Sequence, residues 1–165
     1  MCKIRLMTVA LLMALLVGCG HAETPGAESV QPAFILTGDA AILQSWSGEF
    51  PVVRLDQLPA DQREQGIGYI GDQAVFEKVW TAFKPGKAVP TVDFQNHLVF
   101  FVRNTRYFNR ISIGKIMVTD GIAEMLAMET MSAIPIEDQV AMALVVTARK
   151  GITGLRVGST VIPIE

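Results

Sequence analysis

The stretch Ile111-Ser112-Ile113-Gly114-Lys115-Ile116-Met117-Val118-Thr119-Asp120-Gly121-Ile122-Ala123-Glu124-Met125-Leu126-Ala127-Met128-Glu129-Thr130-Met131 decides the fold. Asp120-Gly121 lies between two segments that read as strands, and an Asp-Gly pair in that position favours a two-residue type I′ turn, whose central residues both need positive φ. Such a turn sets a register. Thr119 pairs with Ile122, Met117 with Glu124 and Ile113 with Met128 on one face, and Val118 pairs with Ala123 and Ile116 with Met125 on the other. Counted this way both faces are largely apolar, which predicts a central hairpin covered on both sides by a second sheet or a helix. The methionines Met125, Met128, Met131 and Met142 read as adaptable core, since an unbranched thioether fills irregular gaps.

Outward from the hairpin, Leu98 to Arg103 and Val140 to Arg149 are further strands, and Val161 to Ile164, with Pro163 inside it, suits a sheet edge. Phe50 to Leu55 reads as a strand that Pro51 confines to an edge or a strand start. One helix stands out, from Asp72 to Phe83. Asp72 serves as its N-cap, and Val75, Phe76, Val79, Trp80 and Phe83 recur at three- and four-residue spacings on one face. Pro85-Gly86 stops it, and its apolar stripe is expected to cover a sheet. The expected fold is mainly β, an antiparallel β-sandwich or half-barrel with one packing α-helix, formed by residues 34–165 as a single domain.

The N-terminus addresses the chain. Lys3 and Arg5 precede an apolar run, Leu6 to Val17, that is shorter than the roughly 20 residues a membrane-spanning helix needs, so residues 1–18 read as an export signal. The run ends in Leu16-Val17-Gly18-Cys19, which resembles the bacterial lipobox. That resemblance implies cleavage before Cys19 and acylation of its sulfur and new amino group. Two or more acyl chains hold a protein stably at a bilayer where one does not. Gly20 in place of Asp after the cysteine implies an outer-membrane anchor facing the periplasm, with the inner membrane or secretion after Ala22 as alternatives. Residues 19–33, rich in Ala, Glu, Gly, Pro and Ser, read as a flexible tether.

Composition removes several function classes. The 165 residues carry 14 Lys and Arg against 16 Asp and Glu, a formal net charge of -2, and cleavage of the signal removes two of the cations. A nucleic-acid binder needs an excess of cations, so none is expected here. Two cysteines and two histidines exclude a disulfide framework and leave little for a zinc site. Cys2 departs with the signal and Cys19 is consumed by lipid, so cysteine catalysis is excluded as well. No cofactor is expected.

Three constellations remain. Gly66-Ile67-Gly68-Tyr69-Ile70-Gly71 matches the dinucleotide fingerprint, but Asp61 to Gln65 precedes it where a buried strand is required, so it reads as a glycine-flexed edge strand leading to the helix. Asp93 and His97 are the only acid and histidine near enough to suggest hydrolysis, yet they flank a predicted loop, and no nucleophile accompanies them. No catalytic residue is assigned. The segment from Phe100 to Arg110 concentrates aromatics and arginines between two strands, and Arg103, Arg106, Tyr107, Phe108 and Arg110 are the candidate binding residues, because Arg and Tyr carry interface energy. The competing reading buries these aromatics and pairs the arginines with Glu129, Glu137 or Asp138.

Phe76-x-x-x-Trp80, the Pro90-Thr91-Val92-Asp93-Phe94 step, Val99 to Val102, Ile111 to Ile113, the Asp120-Gly121 hairpin and the closing Val161 to Ile164 together resemble the PrcB C-terminal-domain family over residues 72–165. Family members carry a glycine-rich turn where this chain has Tyr107-Phe108-Asn109-Arg110. The resemblance implies an exported, often lipid-anchored protein that acts as an accessory subunit of an envelope protease complex. The expected function is therefore a non-enzymatic binding or regulatory protein of the envelope. Binding of an anionic small molecule or glycan by the Arg103 to Arg110 loop is the alternative, and a hydrolase built on Asp93 and His97 is the third.

Overall fold

Asp120 and Gly121 have φ of 52° and 80°, the two positive values that a type I′ turn requires. The computed structural model describes residues 34–104, 108–131, 133–134 and 137–165, which all fall in one compact unit, Ala33–Glu165. The expected export signal, the expected tether and Cys19 lie outside the described residues. Among the described residues the strands are β1 (Gly38–Ala40), β2 (Gln44–Pro51), β3 (Ile67–Ile70), β4 (His97–Asn104), β5 (Phe108–Thr119), β6 (Ile122–Met131), β7 (Gln139–Ala148), β8 (Gly154–Val157) and β9 (Thr160–Pro163). Two α-helices, α1 (Ala60–Glu64) and α2 (Gln73–Phe83), precede β3 and β4 respectively.

The strands form two sheets, one ordered β1-β5-β6-β8-β9 and the other β2-β7-β4-β3. All pairs are antiparallel except β6 with β8, which is parallel. The architecture is a β-sandwich with α2 laid on the outer face of the four-stranded sheet. Alternation along β4 shows the layering: Leu98, Phe100 and Val102 enter the core between the sheets, whereas Val99 and Phe101 join α2. β7 does the same, with Ala141, Ala143 and Val145 between the sheets and Val140, Met142, Leu144 and Val146 toward the helix. These two central strands are therefore the ones covered on both faces, which explains their continuous apolar runs.

Helix α2 begins where the Val75 N–H donates to the Asp72 carboxylate at 2.8 Å and ends before Gly86, at φ 73°. Phe76, Val79, Trp80 and Phe83 are buried against the sheet. Trp80 meets Trp46 edge-on with centroids 5.2 Å apart, and Phe83 meets Phe50 at 6.0 Å. Such aromatic pairs add to the area they bury.

The register of the hairpin holds near the turn and changes beyond it. Thr119, Val118, Met117 and Ile116 oppose Ile122, Ala123, Glu124 and Met125, but Ile113 opposes Ala127 and not Met128. A bulge between Ile113 and Lys115, around Gly114, adds one residue to β5. That extra residue brings Ile111 and Ile113 onto the same inward face as Ile116 and Val118, and all four are buried. The expectation of two covered faces is corrected accordingly: the hairpin packs on one side only, and Met128 and Met131 are exposed where core was expected. Met125 packs against the inter-sheet core and Met142 is fully buried.

A second correction concerns Phe50 to Leu55. The strand runs earlier, Gln44–Pro51, and Val52–Gln57 is a 3-10 turn. Pro51 is the last residue paired with β7, after which the Val52 N–H turns to the Asp138 carbonyl at 2.9 Å. Val161 to Ile164 becomes β9 at the edge of its sheet, a position where Pro163 removes no ladder bond.

Candidate binding surface

Arg103 ends β4 beside the short helix α1. Its backbone N–H donates to the Gly66 carbonyl at 2.8 Å, its Nε to the Gln62 carbonyl at 3.0 Å, and its Nη2 to the Arg63 carbonyl. A cation at the C-terminal end of a helix satisfies carbonyls that have no intrahelical partner. The side chain is half-buried, and that burial pushes the guanidinium below its usual pKa. A guanidinium is not deprotonated in proteins, so the group donates as a cation. Arg103 is therefore engaged in holding α1 against the sheet. Its partners are main-chain carbonyls and not Glu129, Glu137 or Asp138.

The other candidates of the segment are placed unequally. Arg106, Tyr107 and the side chain of Phe108 lie outside the described residues. Phe108 pairs through its backbone with Met131, and a second bulge separates it from Arg110. Arg110 is exposed and opposite Thr130. The described part of this segment thus begins β5 opposite the last residues of β6.

Asp93 and His97 form a turn. The Asp93 carboxylate accepts the Asn96 amide at 2.7 Å and the Gln95 backbone N–H at 3.1 Å, and the His97 N–H donates to the Asp93 carbonyl at 2.8 Å. The Asn96 hydrogen bond does most to hold the Asp93 carboxyl below the usual carboxylate range; backbone N–H groups and the nearby His97 act the same way, against a desolvation that raises it. This pattern fastens the start of β4.

The glycine motif is also accounted for by packing. β3 is the edge strand beside β4, with Gly68 opposite Phe101. A Cβ at Gly68 would lie 2.7 Å from the Phe101 ring, so glycine is what lets the ring seat there. Near it, a cleft of about 360 Å³ is lined by Asp61, Gln62, Tyr69, Asp72 and Glu165 among others. Its carboxylates do not converge: among the described residues no group of three or more acids, histidines or cysteines is placed to hold a metal ion.

What reasoning along the chain missed is the outer face of the hairpin. Met117, Leu126, Met128 and Met131 are 39%, 54%, 62% and 68% exposed, and the first three face outward on adjacent rows of β5 and β6. Exposed Leu or Met is ordinary when single, whereas a cluster marks a contact surface. Two ion pairs frame it, Lys115 with Asp39 at 3.0 Å and Arg156 with Glu124 at 2.9 Å. The signal that could have revealed it is Gly114, since glycine inside a strand pattern often marks a bulge and a bulge reverses the parity of everything beyond it.

No described helix is long and apolar enough to cross a membrane. Comparison with protein-family models, curated proteins and solved structures returned no match for this chain.

Proposed function

We propose that this chain is a non-enzymatic binding module of the bacterial cell envelope, anchored by lipid at Cys19 and engaging another envelope polypeptide as its accessory or regulatory subunit. The lipobox-like Leu16 to Cys19 supports the anchor, and the resemblance of residues 72–165 to the PrcB C-terminal-domain family supports a protease complex as the partner's setting. The observation that carries the binding role is the cluster of Met117, Leu126 and Met128 on the open face of the hairpin. An apolar surface of this kind, rimmed by ion pairs, has the composition of an interface core with a polar rim. Methionine suits it because its flexible thioether adapts to a partner's shape. With Arg103 bonded to α1, the anionic-ligand alternative keeps Arg110 as its described cation.

The experiment places a photo-crosslinking amino acid at Met128 of the full-length protein in its own cells. A single crosslinked envelope protein is the expected product, lost in Met117→Lys with Leu126→Lys, both beside the probe on the same open face. Intact-mass analysis of the same material is expected to show an acylated Cys19 at the amino terminus. A crosslinking pattern unchanged by the two lysines removes the face from consideration, and a free thiol at Cys19 removes the anchor.

A further inference from the structure

We propose that the partner contributes an extended segment that adds to the five-stranded sheet as a new strand along the free edge of β6, from Met125 to Met131. This rests on the binding reading above and specifies its mode. β6 pairs with β5 along its length, but it pairs with β8 only at Ile122 and Ala123. Beyond Ala123, β8 departs toward Gly158 and returns as β9. The rest of that edge has no strand beside it among the described residues.

Backbone direction follows from the turn. In a two-residue hairpin the residues flanking the turn, Thr119 and Ile122, are bonded to each other, so the even-numbered residues of β6 address β5. Both bulges lie on β5 and leave the alternation of β6 undisturbed. Met125, Ala127 and Glu129 therefore turn their N–H and C=O groups to the free edge. Native edges are commonly protected by shortness, proline or lysine. β1 is three residues long and β9 contains Pro163, whereas Met125 to Met131 contains neither proline nor cation.

A groove of about 270 Å³ runs beside this edge, lined mostly by apolar side chains, Ile67, Val102, Met125, Ala127 and Val157 among them, together with the ion-paired Glu124 and Arg156. A strand laid along β6 would send alternate side chains into it, so the added segment is apolar at every second position. Charge decides between a foreign segment and a second copy. Glu124 is paired with Arg156, but Glu129 is exposed with no ion-pair partner among the described residues. Pairing β6 with itself supplies no cation opposite Glu129 in any register, because Ile122–Met131 carries none. A partner strand carrying Lys or Arg opposite Glu129 completes the edge.

The test uses the full-length acylated protein in detergent and a fluorescent octapeptide alternating Val and Thr with one Lys. Its N-methylated twin keeps every side chain and loses the donors on one edge. Binding by the first peptide and a loss of at least about tenfold for the second is expected. Ala127→Pro deletes one outward donor and should weaken the first peptide by a similar factor with the thermal midpoint kept. Glu129→Lys should weaken it several-fold and reverse its preference over a Glu-bearing peptide. Equal affinity for the two peptides overturns strand addition, as does failure of either to bind while the Met128 crosslink persists, an outcome that leaves the binding module standing. A dimer dissolved by Ala127→Pro would make the occupant a second copy and overturn the assignment to a partner.

Discussion

Arg103 Nε donates to the Gln62 carbonyl at 3.0 Å across 41 positions of sequence, and this one bond ties the end of β4 to the last turn of α1. Hydrogen bonds from a charged donor are stronger than neutral ones. Arg103→Ala should therefore cost about 1–3 kcal/mol in urea unfolding. Arg103→Lys should recover only part of the loss, because a single ammonium does not reproduce the planar fork that reaches two carbonyls. A stability equal to that of the parent would mean that α1 is held without it.

Acid stability should depend on Asp93. Its carboxyl is held below the usual range chiefly by the Asn96 side chain, so the unfolded chain binds a proton more readily than the folded one. The contribution is complete above the ordinary carboxylate pKa of about 4 and is lost as pH falls through the lower folded value. Asp93→Asn should be less stable than the parent at pH 7, with the gap narrowing toward pH 3. Denaturation midpoints at the two pH values check it, and a constant gap would contradict the assignment.

The Trp80 Nε1 is buried with no described hydrogen-bond partner, although its ring touches Trp46 and Phe83. Trp80→Ala should cost about 3–5 kcal/mol through cavity formation. Trp80→Phe should cost much less, since it removes an unsatisfied donor together with part of the volume. Urea unfolding of the pair measures the difference, and equal losses would show that the indole N–H is satisfied in solution.

Substitution at the hairpin turn should be severe for its size. Gly121 holds φ 80°, and a Cβ there would lie 2.8 Å from Thr153 Oγ1. Gly121→Val should cost about 1–3 kcal/mol from the backbone alone, read as a lowered thermal midpoint. Gly158, at φ 60° with open space around its Cβ position, should lose less on substitution by Asn, a residue that tolerates the left-handed region.

Leu126→Lys and Met128→Lys should each leave unfolding free energy within about 0.5 kcal/mol of the parent, because both side chains are exposed and support no core. A loss of several kcal/mol in either would place the outer face in the fold's interior and remove its availability to a partner.

The α2 boundaries and the Asp120-Gly121 turn could be read residue by residue, since capping, three-and-four spacing and positive φ act within a few positions. The strand through Val161 to Ile164 was equally plain from Pro163. The face of β5 was not. Its alternation counts correctly from Thr119 back to Ile116, then shifts at Gly114, and parity beyond that point is a property of the ladder with β6. The candidate site shared this difficulty: Met128 looks like core until the bulge is placed, and Arg103 looks like a ligand group until α1 lies beside it.

Local chemistry by itself determined where the helix and the hairpin turn form and that β4 and β7 carry continuous apolar runs at their centres, because those properties depend on neighbours along the chain. Only the tertiary structure decided which sheet face stays open, which edge stays unpaired and which arginine is already bonded. Each of these depends on what a distant segment brings into contact, as Gln62 does for Arg103 and as β8 does by leaving β6 after Ala123.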